Sequence, residues 1–120
     1  MEKAFLELIE AAKRCAVNDP LVRQQNIDFY RDELYSEADE ISSAIDAKDY
    51  ALLKEKLGDL LWDVLLVTLI AEREGHLKTN DMLLQAIEKI KKNKPYAFEG
   101  KDSSLEEASN SADDEPDDTA

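Results

Sequence analysis

Leu57-Gly58-Asp59-Leu60-Leu61-Trp62-Asp63-Val64-Leu65-Leu66-Val67-Thr68-Leu69-Ile70-Ala71 is the stretch whose reading decides the fold. Wound as a helix, its residues Leu60, Leu61, Trp62, Val64, Leu65, Leu66, Val67, Leu69, Ile70 and Ala71 cover every side. A helix that is apolar all round has to be buried all round. The other helices of so short a chain are too few to surround it, so a second copy of the chain is expected to complete the cover.

Working outward, Asp49 is placed to cap this helix, which is expected over Tyr50 to Glu74 and to end at Gly75, a residue suited to the left-handed conformation of a terminator. Upstream, Asn18-Asp19-Pro20 combines a capping side chain with proline at the first helical position. A helix is expected from there to Ala47, with Ile27, Tyr30, Leu34, Ile41 and Ile45 inward. Phe5, Leu6, Leu8, Ile9 and Ala12 recur at helical spacing and mark a first helix over Lys3 to Ala16. Thr79 or Asn80 caps a fourth helix, Asp81 to Lys92, which halts before Pro95. No strand alternation competes and there is no internal repeat. The expected class is all-α, with four helices in one domain over residues 1–100.

Residues 101–120 read differently. Lys101 stands there against eight acids, with Leu105 as the one large apolar side chain. Such a segment cannot bury enough apolar surface to offset the entropy of ordering it, and it is expected to be a disordered acidic tail. It carries −7 of the formal net charge of −13, leaving −6 on the helical part. That balance argues against nucleic acid and against an anionic membrane as partners. A nucleotide remains compatible if a divalent cation stands between carboxylates and phosphates. The single cysteine, Cys15, excludes an internal disulfide and reads as a small core residue. Met1 to Glu10 is interrupted by Glu2, Lys3, Glu7 and Glu10, unlike a signal peptide, and Val64 to Ala71 is too short to span a bilayer, so the expected location is cytoplasmic. His76, after Gly75, reads as a surface residue, and Trp62 as core or dimer contact.

Two groups of carboxylates carry the chemical interest. Glu33, Glu37 and Glu40 are spaced four and three apart on the second helix and share a face. Glu55, Asp59 and Asp63 recur every four residues on the third, where Asp59 and Asp63 lie inside the apolar run. Stacked like charges near a core are costly unless compensated. Mg²⁺ would compensate, held by oxygen ligands from two neighbouring helices with positions left open for phosphate and water. The plainer reading, a solvated acidic face, is preferred for Glu33 and Asp39; for Asp59 a role in the site is preferred.

The same residues resemble the MazG family of nucleoside triphosphate pyrophosphohydrolases. Ser36-Glu37-Ala38-Asp39-Glu40-Ile41 is similar to the first signature of that family, two glutamates three apart. Lys54-Glu55-Lys56-Leu57-Gly58-Asp59-Leu60-Leu61-Trp62-Asp63-Val64 is similar to the second. Gln25-Asn26, Ala71-Glu72-Arg73-Glu74-Gly75, Glu88-Lys89 and Lys92 to Phe98 extend the likeness from Gln25 to Phe98. The resemblance implies a four-helix, dimer-forming (or tetrameric) fold. It also implies Mg²⁺-dependent hydrolysis of nucleoside triphosphates to the monophosphate and pyrophosphate, as in nucleotide-pool house-cleaning. It further implies Glu37, Glu40 and Asp59 as metal ligands and catalytic residues, and Lys89 and Lys92 as contacts to the triphosphate. The sequence departs from the pattern where a third acidic ligand is expected, three residues before Asp59: Lys56 stands there, with Glu55 or Asp63 as substitute ligand. Ile87 replaces a polar asparagine of some members, and no tryptophan lies between Cys15 and Asp19. The alternative is a catalytically weak MazG-like dimer acting as a nucleotide-binding or protein-interaction module.

Overall fold

A computed structural model describes residues 1–99; the expected acidic tail lies outside the described residues. The elements are α1 (Glu2–Asn18), α2 (Pro20–Gln24), α3 (Phe29–Ala47), α4 (Tyr50–Arg73), α5 (Thr79–Asn93) and α6 (Pro95–Phe98), with no strand among the described residues. They divide into two compact units, Met1–Thr79 and the residues from Asn80 onward.

Within the first unit the boundaries follow local chemistry. Asp19 adopts an extended backbone, ends α1 and caps α2, its carboxylate accepting from Leu21 N–H at 2.9 Å. Asp49 caps α4, its carboxylate accepting from Leu52 N–H at 3.2 Å. Gly75 has φ +82°, the left-handed conformation that glycine adopts without penalty. His76 N–H reaches back to the Ala71 carbonyl at 2.9 Å, closing the end of α4.

The helix expected from Pro20 to Ala47 is interrupted at residues 25–28. Gln25 is extended at φ −77°, ψ 150°, and the Asn26 side chain accepts from Phe29 N–H at 3.2 Å, offering the backbone a local alternative to the helical bond. Arg73, at the far end of α4, donates to the carbonyls of Gln25 at 2.8 Å, Val22 at 3.3 Å and Ala16 at 3.4 Å. At the break, therefore, the Gln25 carbonyl is held by a guanidinium that a helical continuation would displace.

α3 and α4, joined through Lys48 and Asp49, form an antiparallel hairpin: Glu40 meets Lys56 near the turn, and Glu33 meets Asp63 two turns further along. α1 packs on α4 and on α2. The core gathers Ala12, Val22, Tyr30, Leu66 and Ile70, with Cys15 and Trp62 packed against it. Thr68, polar within the apolar run, is buried, and its hydroxyl donates to the Val64 carbonyl at 2.7 Å. Burial on α4 is confined to Leu66, Thr68, Ile70 and Ala71. Leu57 and Val64, seven residues apart on one stripe, remain 48% and 39% exposed, and Ile45, expected inward on α3, is 54% exposed.

Candidate metal centre

The acidic faces of α3 and α4 meet across the hairpin. Glu33, Glu37 and Asp63 each place a carboxylate oxygen within 4.8 Å of the others, Glu37 and Asp63 half-buried and Glu33 exposed. Closer to the turn, Lys56 Nζ lies 2.8 Å from Glu40 Oε2 and 3.7 Å from Asp59 Oδ2. One oxygen of Glu37, Oε2, is buried with no hydrogen-bond partner.

The electrostatics follow from this crowding. Desolvation pushes the Glu37 carboxyl above its ordinary value; Lys56 opposes the shift, while Asp59, Glu40 and Asp63 add to it. Desolvation also raises Asp63, followed by the charges of Glu33 and Asp59. Lys56 is held charged chiefly by its hydrogen bond to Glu40. Tyr30 is raised by burial first and then by Asp63, and its hydroxyl donates to Gln25 Oε1.

A divalent cation fits this donor set. The ligands are hard carboxylate oxygens from two helices, and the buried, unpartnered Glu37 Oε2 is a negative end without a donor of its own. The residues expected to act together are divided in two. Glu37 stands with Asp63, one of the two substitutes expected from sequence, whereas Glu40 and Asp59 share the Lys56 ammonium. Glu55, exposed on α4, is outside the three-carboxylate group. Glu33, read from sequence as solvated, is exposed as expected and also belongs to that group. The sequence held half of the signal, since Glu33 lies one helical turn before Glu37; its height opposite Asp63 comes from the packing of α3 on α4. Lys89 and Lys92 are exposed on α5, in the second unit.

Three charges that close α4 enter the sequence reading only as part of the family likeness, without the bonds they make. Glu72 accepts from Thr79 N–H at 2.7 Å, Arg73 holds the carbonyls described above, and Glu74 accepts from Ile27 N–H at 3.3 Å. Glu74 also lies 3.2 Å from the exposed His76. Each fastens a chain segment to the end of the helix that carries Asp59 and Asp63.

The family model described as the MazG nucleotide pyrophosphohydrolase domain matches residues 25–98, from the break before α3 through α6. The chain belongs to the MazG family. A solved MazG-related protein from Thermotoga maritima is 32% identical, with a TM-score of 0.79 over 88% of this chain and 93% of that one. No curated protein matches. The MazG match covers both acidic faces and α5, while α1 and α2 lie ahead of it. Within the MazG signature, a Cβ at Gly58 would meet nothing within 4 Å, so packing inside one chain does not require the glycine.

Proposed function

We propose that this MazG-family chain hydrolyses nucleoside triphosphates to the monophosphate and pyrophosphate, water adding across the bond between the α- and β-phosphates. Mg²⁺ is the proposed cofactor and nucleotide-pool house-cleaning the proposed role. The observation that carries the reading is Glu37. It belongs both to the set the family likeness implies (Glu37, Glu40, Asp59) and to the set that converges in space (Glu33, Glu37, Asp63), and its inner oxygen lacks a partner.

When bound, a divalent cation supplies the positive charge that polarises a phosphate and eases deprotonation of water. The chain's own contribution is placement. Glu37 and Asp63 offer half-buried oxygens from facing helices, with Glu33 completing the group at the solvent edge. Asp59 and Glu40 keep Lys56 fixed beside them. Lys89 and Lys92 are proposed to bind the triphosphate, where their charge offsets that of the leaving pyrophosphate. The partner is proposed to be a second copy of the chain in a dimer or tetramer, supported by the exposed apolar stripe of Leu57 and Val64 on α4. No membrane partner is proposed, and no helix among the described residues is long and apolar enough to cross one. The cytoplasm is the proposed location.

The test is release of monophosphate and pyrophosphate from a panel of ribo- and deoxyribonucleoside triphosphates with Mg²⁺, with Glu37→Ala in parallel. Turnover that persists in Glu37→Ala sinks the assignment. Comparing Asp59→Ala with Asp63→Ala then separates the two ligand sets. A second reading, a binding module with little turnover, is favoured by the contacts of Lys56, since an ammonium in the acidic site replaces a ligand with a charge of the wrong sign. Nucleotide binding without turnover on any substrate is its signature.

A further inference from the structure

A cation already stands in this acidic site, and it is covalently attached. Lys56 leaves α4 where the MazG signature leads one to expect a carboxylate, and its side chain is only 20% exposed. The two carboxylates it touches, Glu40 on α3 and Asp59 on α4, are 45% and 49% exposed. The ammonium thus stands between two open acidic groups and bridges the two helices, as an ion shared between those carboxylates would. Its charge also reaches Glu37, where it opposes the effect of desolvation.

We propose that Lys56 is a tethered substitute for a divalent ion: its ammonium takes the place between Glu40 and Asp59 and keeps divalent metal from binding there. The inference rests on the reading that this chain binds a divalent cation, and it adds which carboxylates are open to it. Glu37 retains an unpartnered oxygen, and Glu33 and Asp63 lie beside it, outside the two ion pairs of Lys56. Glu40 and Asp59 are already neutralised in part. An incoming dication would have to displace an ammonium whose backbone is fixed in a helix, or sit within a few ångströms of it against direct repulsion.

The probe is Mn²⁺ alone, followed by calorimetry on the full chain without nucleotide. Removing one positive charge a few ångströms from the ion strengthens binding by at least about tenfold, so Lys56→Met is expected to bind Mn²⁺ that much more tightly than wild type. Glu40→Gln removes a negative charge at similar range and is expected to weaken Mn²⁺ binding in wild type; combined with Lys56→Met it is expected to remove most of the gain, because the carboxylate pair that Lys56 vacates is then incomplete. Unchanged affinity in Lys56→Met overturns the proposal, as does a gain of the same size in the Glu40→Gln background. Melting provides a readout that does not depend on calorimetry. In EDTA, Lys56→Met is expected to melt below wild type, and Mn²⁺ is expected to raise its Tm more than it raises that of wild type. Equal Mn²⁺ shifts in the two proteins count against the tethered ion. These readouts involve no turnover, so an absence of pyrophosphate release would remove the proposed activity and leave this inference standing or falling on metal binding.

Discussion

Glu37 bears a conflict between stability and chemistry that a single side chain resolves poorly. Its carboxylate is driven up in pKa by desolvation, and one oxygen finds no donor. Burial of that kind costs free energy in the metal-free protein and is offset when a cation arrives. Glu37→Gln is therefore expected to raise Tm in EDTA and to weaken Mg²⁺ binding by about 10- to 100-fold, the range seen when groups around a metal are lost; thermal melts with and without Mg²⁺ check both halves. The same shifts give a pH dependence with a definite sign. Glu37 and Asp63 have native pKa values above the ordinary 4.5 and 3.8. Between those ordinary values and the raised ones, the native state holds more protons than the unfolded chain. Stability then increases as pH falls through the native values. Melting in EDTA is expected to show a Tm that rises as pH falls from neutrality through the native values of these two groups, a rise that saturating Mg²⁺ should flatten by holding them ionised.

Among the elements, the end of α4 is where side-chain bonds join distant segments of the chain. Arg73 is separated in sequence from the carbonyls it holds by about fifty residues, and it joins the ends of α1 and α2 to the helix that bears Asp59 and Asp63. Arg73→Met leaves those carbonyls without their charged donor. A loss of about 1–2 kcal/mol is expected, at the lower end for hydrogen bonds to a charged group because Arg73 is exposed. For a domain of this size that lowers Tm by roughly 5–15 °C, measured by calorimetry. Arg73→Lys is expected to recover only part of it, because one ammonium cannot reproduce the fork of a guanidinium.

Across the whole molecule, the apolar run that dominates the sequence is not enclosed by a single chain. Leu57 and Val64 stay open on α4, and Phe5 and Leu6 on α1 are 44% and 62% exposed. Such surface is costly in a lone soluble molecule. Sedimentation is expected to give a multiple of the 13.6 kDa chain mass, and Val64→Asp is expected to shift the protein toward monomer at micromolar concentration. A wild-type protein that sediments as a monomer would remove the dimer from the proposal.

What could be read without coordinates was whatever depends on neighbours along the chain. Apolar spacing located the helices, Asp19 and Asp49 announced their starts, Gly75 announced the end of α4, and the four-residue repeats put each acidic series on one face. Three features depended on the register between helices and were decided only in the tertiary structure. The first is the interruption at residues 25–28, which uses a guanidinium from the other end of the unit. The second is the entry of Glu33 into the carboxylate group, which depends on its height opposite Asp63. The third is the meeting of Lys56 with Glu40 across the hairpin. Helical period and caps act over one or two turns, whereas ion pairs and metal ligands require groups distant in sequence to come within a few ångströms, and that distance is set by how α3 packs on α4.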